Sequence, residues 1–173
     1  MYKRQAEDEI AAIQSATIDH LTQMSNRRGF EVLGNHVLAT CARLSLPATL
    51  LFFDLDGFKQ INDQHGHSEG DRALQRFAEA MSLTFRTSDV YARLGGDEFV
   101  VLLSNTSEPE IHAALERLQH AIDASNANVV PGLHLRFSAG AVTSEAGSED
   151  IAALLRKADQ RMYENKRLRR TAV

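Results

Sequence analysis

"YARLGGDEFVVLL", residues 91–103, sets two glycines and two acids between two apolar runs. The runs Val90 to Leu94 and Phe99 to Leu103 read as short strands, and the four residues between them as the turn of a hairpin. Such a turn needs φ > 0, which glycine accepts without steric cost, and an acid beside it keeps it wet. A second use is open to the same residues. Backbone without side chains can approach a triphosphate, and carboxylates at that spot can hold the metal that a triphosphate carries. This stretch alone does not choose between the two.

Outward from the hairpin, helices and strands interleave. Pro47 opens ATLLFFDLD, an apolar run short enough for a buried strand. Gly57 to His67 reads as short helix and loop, and Asp71 to Phe85 as a helix by its stripe of Leu74, Phe77, Ala78, Met81 and Phe85. Helices follow over Pro109 to Ala124 and Glu149 to Arg167, with a strand over Leu133 to Thr143 between them. Before Pro47, Phe30 to Leu44 has helical spacing at Val32, Leu33, Val37, Leu38 and Ala42. Further upstream, Ile10, Ile13, Thr17, Leu21 and Met24 mark residues 4–24 as an amphipathic helix, ended by SNRRG. The expected organisation is therefore a connector helix over 1–24 and one domain over 25–173. Its class is α/β, an α+β sandwich with a mixed, mostly antiparallel sheet covered by helices.

The bulk composition excludes several classes. A chain of 173 residues, 43% hydrophobic and 24% charged, can bury one good core. A net charge of −4 argues against a nucleic-acid polymer as partner, although the end of the chain is locally basic. The longest apolar stretch, near Leu50 to Phe53, is too short to span a bilayer, and MYKRQAEDEI is charged where a signal peptide would be apolar. No membrane segment is expected in this chain. The single cysteine, Cys41, suits a reducing, cytoplasmic setting.

Two further stretches carry chemistry. On a strand, Asp54 and Asp56 share a face while Leu55 points the other way. Two carboxylates at the exit of an apolar strand either cap the next turn or meet a cation. In GFKQINDQHGHSEGDRAL, residues 57–74, Asn62 and Asp71 form a pair of interest. A carboxylate can accept from N1–H and the 2-amino group of guanine, a donor pair that adenine lacks, and an amide can meet the remaining edge. Asp71 could equally cap the helix that starts at Arg72, and Asn62 could be a turn residue.

The set DHLTQMSNRRGF (19–30), DLDGFKQINDQHGHSEGD (54–71), RLGGDEF (93–99) and KADQRMYENKR (157–167) resembles the GGDEF domain of bacterial diguanylate cyclases. The resemblance runs from Asp19 to Arg170. It implies a five-stranded sheet flanked by helices, similar to nucleotidyl cyclase and polymerase palm domains. The implied reaction joins two GTP molecules into cyclic di-GMP across a homodimer. It also implies two Mg²⁺ per active site, replaceable by Mn²⁺, on Asp54, the Leu55 carbonyl, Asp97 and Glu98. Asp97 and Glu98 are the implied catalytic acids. Asn62, His67, Asp71, Leu74 and Phe58 would meet the nucleotide, with Lys59, Gly95, Gly96, Lys166 and Arg170 at its phosphates.

RTSD, residues 86–89, stands at that family's spacing for an inhibitory site, where Arg86, Asp89 and Arg117 would bind the product. A capped turn is the plain alternative for those four residues. Two departures stand out. Arg169 and Thr171 replace a glycine and an asparagine, and Gln23 replaces a glycine in the first motif. A sensor domain upstream in a longer protein is expected to supply the input. The rival function is a non-catalytic receptor for GTP or cyclic di-GMP, against which the intact acids of the turn argue.

Overall fold

The computed structural model describes residues 16–145 and 149–171, with the side chains of the last two of these left aside. Four strands form one sheet in the order β2-β3-β1-β4. They are β1 (Ala48–Leu55), β2 (Val90–Gly95), β3 (Glu98–Ser104) and β4 (Phe137–Ser144). The helices are α1 (Arg27–Leu44), α2 (Phe58–His65), α3 (His67–Thr84), α4 (Glu108–Asn126) and α5 (Ile151–Thr171). Every strand pairing is antiparallel.

β1 is central because it can be buried on both faces, and seven of its eight residues are. Its odd-numbered side chains Leu51, Phe53 and Leu55 enter a core with Phe77 and Met81 of α3 and Leu118 and Ile122 of α4. Phe53, Phe77, Phe99 and Phe137 meet there, Phe77 and Phe99 with centroids 4.8 Å apart. The even-numbered Leu50 and Phe52 enter a second core, closed by Phe30 and Leu38 of α1 and Leu154, Ala158 and Met162 of α5. Gly140 lets α5 lie directly on the sheet, since a Cβ there would fall 2.2 Å from the backbone nitrogen of Met162.

Several expectations need correction. The sheet has four strands among the described residues, not five. The outward carbonyls of β4 at Phe137, Ala139 and Ala141 accept from Arg169, Asn165 and Arg161, spaced one turn apart on α5. With those acceptors taken, β4 is the last strand on its side. β4 also starts at Phe137 rather than Leu133, because Pro131–Leu133 forms a 3-10 turn and Leu135 donates to the side chain of Asn126.

The N-terminal expectation is corrected over 18–24. Residues 1–15 of the connector lie outside the described part, and helix ends at Thr17. Ile18 then bridges Ser25, which in turn bridges Ala92 at the edge of β2. Leu21 and Met24 mimic helical spacing but pack on the core from this turn. Gln23 sits within it at φ 60, a left-handed conformation that glycine would hold without strain. On α1 the buried stripe is Phe30, Gly34, Leu38 and Cys41, while Val32 and Leu33 are 62% and 47% exposed. Asn26 starts this helix by accepting from the Gly29 amide at 2.9 Å.

Candidate active site

The site is assembled where β1 ends beside the turn of the β2–β3 hairpin. Asp54 lies opposite Glu98 in the β1–β3 register and opposite Ser138 in the β1–β4 register. The Leu55 amide donates to the Asp97 carbonyl at 3.3 Å, fastening the turn to the end of β1. Leu55 itself points into the aromatic core. Asp54 and Asp56 share the other face, where the Lys166 ammonium of α5 donates to Asp54 Oδ2 at 2.5 Å and lies 3.4 Å from Asp56 Oδ1. Ser138 Oγ lies 2.9 and 3.0 Å from the two Asp56 oxygens.

Gly95 and Gly96 have φ of +139° and +50°, and a Cβ on either would meet nothing within 4 Å. Packing within the chain therefore does not demand glycine there. The backbone conformation does, and the space beside it is open to a ligand. Arg93 holds the turn from behind. Its Nε donates to the Gly96 carbonyl at 2.9 Å and its Nη1 to Asp19 Oδ1 at 2.9 Å. Asp19 also accepts from the Thr22 amide and hydroxyl at 3.0 and 2.7 Å. Burial acts to raise the Asp19 pKa, but the hydrogen bonds from Thr22 and the Arg93 guanidinium outweigh it and hold the carboxyl below its usual range.

The acids at the turn behave in the opposite way. Burial, and the Asp54 carboxyl within hydrogen-bonding reach, push Asp97 up to about 7, with Lys166 acting against them. Burial and the charges of Asp159 and Asp54 push Glu98 up as well, with Arg27 opposing. Burial acts to lower Lys166, but its contacts with Asp54 and Asp56 leave it raised. Like charges thus converge here with one ammonium between them. The donor set fits a hard divalent cation: all oxygens, two carboxylates in mutual reach, and Leu55 between Asp54 and Asp56 in the chain. No three His, Cys, Asp or Glu side chains gather as a metal cluster among the described residues. A cation here would take its remaining ligands from phosphate oxygens and water.

Beside this centre, α2 and α3 meet at a corner. A Cβ on Gly70 would fall 1.8 Å from Asn62 Oδ1 and 3.4 Å from Phe58 Cζ, so only glycine lets the Asn62 amide lie against this position, one residue before Asp71 in the chain. α3 begins at His67, so the exposed Asp71 stands in its second turn and caps nothing. That removes the capping explanation for it. His67 and Lys59 are exposed, Phe58 packs against the core, and Leu74 is 2% exposed within it. The side chain of Arg170 lies outside the described residues.

Arg86 and Asp89 are placed elsewhere, at the opposite end of β2 from Gly95, a strand length of roughly 20 Å. The Arg86 amide donates to Asp89 Oδ2 at 2.8 Å, and the Asp89 amide to the Arg86 carbonyl at 3.0 Å. Arg86 also acts on Glu110 of α4, and Arg117 lies two turns further along that helix, about 10 Å.

Residue-level reasoning missed the brace of Asp19 and Arg93, although both lie in quoted motifs, because their partners are 74 positions apart. It also missed Arg76, whose guanidinium donates to Ser125 Oγ, the Leu133 carbonyl and Asn126 Oδ1, pinning the loop before β4.

Comparison with known proteins bears on this arrangement. The family model "Diguanylate cyclase, GGDEF domain" matches residues 16–172. Diguanylate cyclase DosC of Escherichia coli (strain K12) is 34% identical over 158 residues, 90% of this chain and 34% of that protein. The chain spans less than half the length of the curated relatives it matches. The GGDEF domain of YfiN (TpbB) from Pseudomonas aeruginosa superposes with a TM-score of 0.78 at 33% identity, covering 87% of this chain and 89% of that one. The coiled coil and GGDEF domain of DgcB from Caulobacter crescentus, solved with c-di-GMP, gives 0.87 at 24% identity, covering 96% and 88%, a likeness of fold. No described helix is long and apolar enough to cross a membrane.

Proposed function

The chain belongs to the GGDEF domain family of diguanylate cyclases, and from that premise we propose that it condenses two GTP molecules into cyclic di-GMP. The observation that carries this reading is the convergence of the Asp54 and Asp97 carboxyls at the mouth of an open glycine turn. In each half-reaction a 3′-oxygen forms a bond to the α-phosphorus of the facing GTP. The bond from that phosphorus to the bridging oxygen breaks, and pyrophosphate leaves.

Asp54, Asp97 and the Leu55 carbonyl would hold Mg²⁺, with Glu98 alongside and Mn²⁺ as a substitute. Bound there, the divalent ions supply charge neutralisation for the entering and leaving oxygens. With divalent ions bound, their charge would hold Asp97 ionised, and its carboxylate takes the proton of the 3′-hydroxyl. Asn62 and Asp71 hold the guanine edge, with Phe58 and His67 near the nucleotide and Leu74 beneath it. Lys59, Lys166, Arg170 and the amides of Gly95 and Gly96 hold the phosphates. Lys166 must leave Asp54 to do so, and the arriving phosphate charge favours that exchange.

One domain holds one GTP, so the reaction requires two copies face to face, in the cytoplasm, under an upstream sensor. Arg86, Asp89 and Arg117 receive the product and slow the enzyme. Incubation with GTP and Mg²⁺ followed by nucleotide chromatography tests the reading. Cyclic di-GMP should form at a rate that rises more steeply than protein concentration, and ATP should not replace GTP. Absence of product at every concentration, with cyclic di-GMP still bound tightly, would leave a receptor instead.

A further inference from the structure

Beside Asp56 and Lys166 opens a polar cavity of about 1040 Å³, walled by α2, the end of α4, the loop pinned by Arg76, and α5. It has room for a ligand of nucleotide size. Two of its cations have no place in the roles assigned above. The Arg136 guanidinium is exposed and makes no hydrogen bond or ion pair with a described residue. Arg169 spends one nitrogen on the Phe137 carbonyl at 3.0 Å, leaving other N–H groups of its five-donor fork to face the cavity.

The charge balance of the cavity favours an anion. Lys166 and Asp56 answer each other, and Asp123, which accepts from Gln119 at 2.8 Å, sets one negative charge against the guanidiniums of Arg136 and Arg169. A surplus of one positive charge remains. The register fixes how far they lie from the catalytic acids. Phe137 pairs with Leu55, and the Asp56 amide donates to the Arg136 carbonyl at 2.8 Å, so Arg136 stands two strand positions beyond Asp54, roughly 7 Å. That span is of the order of a triphosphate's own length.

Resting on the cyclase reading, we propose that Arg136 and Arg169 form a subsite for the terminal phosphate of GTP, by which this chain distinguishes a triphosphate from a diphosphate. Arg169 stands where the family resemblance implies glycine, so the subsite is additional to Lys166 and Arg170. Guanidinium forks suit the purpose because they meet a dianionic phosphate in two parallel hydrogen bonds.

Calorimetry with α,β-methylene GTP, GDP and inorganic tripolyphosphate, each with Mg²⁺, tests this on wild type, Arg136→Gln, Arg169→Gln and the double variant. The double variant should lose on the order of tenfold or more in affinity for the two triphosphates. Its affinity for GDP should move less than about twofold by the same reasoning. Arg169→Lys, which keeps the charge, should recover part of the loss if the effect is electrostatic. Circular dichroism of each variant reports on the fold. A ratio of GTP-analogue to GDP affinity equal to that of wild type, while both nucleotides still bind, overturns this subsite alone. A wild type that binds neither guanine nucleotide overturns the cyclase reading and the subsite together.

Discussion

The two ends of the β2–β3 hairpin carry the two polar motifs of the chain, and they differ in how well each satisfies itself. At the Arg86–Asp89 end, both amides find partners within four residues, the Asp89 carboxylate is one of those partners, and the Arg86 side chain is exposed. At the Gly95–Glu98 end, half-buried acids crowd one another and Asp97 is pushed up to about 7. A motif content with its own hydrogen bonds stabilises the chain with or without a ligand. A motif left with like charges in contact is organised for something that comes from outside.

The largest expected effect lies at the strained end. Asp97→Asn should lower kcat by about 10³-fold, measured by cyclic di-GMP formation. The same variant should be the more stable protein without metal. A carboxyl whose folded pKa is raised favours the folded state below its unfolded value of about 3.8, and that contribution is lost as pH climbs through about 7. The melting temperature of metal-free wild type should therefore fall relative to the variant between about pH 4 and pH 7, and stay lower above it. Equal melting temperatures at pH 8 would break the comparison.

Next comes the brace. Asp19→Ala strips Arg93 of its carboxylate partner and loosens the hold on the Gly96 carbonyl. A loss of about 1–2 kcal/mol in urea denaturation is expected, with kcat falling more than KM rises. A smaller change of opposite sign is expected close by. Gln23→Gly relieves a left-handed φ of 60 and should stabilise the domain by about 1 kcal/mol, although Gln23 also donates to the His20 carbonyl. The smallest effect belongs to the satisfied end. Arg86→Ala should leave stability within about 0.5 kcal/mol of wild type and leave the initial rate unchanged. Only the slowing by added cyclic di-GMP should disappear.

These contrasts also mark what the sequence made legible. Patterns local to one element read through. The period of two in FFDLD put Asp54 and Asp56 on one face, as Lys166 confirms by reaching both. The aromatic stripe of α3 and the glycine hairpin are of the same kind. Patterns whose meaning depends on a distant partner did not read through. Leu21 and Met24 keep helical spacing while lying in a turn, because Asp19 and Asn26 hydrogen-bond the backbone into another path. The strain at Gln23 did not read through either, since nothing in a sequence reveals φ. The number of strands failed for a related reason. The helix that follows a strand can turn back and use up its outward carbonyls, and no periodicity announces it.

That arrangement of α5 against β4, together with Ser25 along β2, has a consequence for how copies of the domain meet. With the β4 carbonyls of Phe137, Ala139 and Ala141 taken and Ser25 laid against Ala92, less of either margin is left as a template for a neighbour's backbone to zip onto. Encounters between copies of the domain are thereby turned toward side-chain surfaces, which part more readily than paired strands do, and crowding many such domains together does not invite fibres.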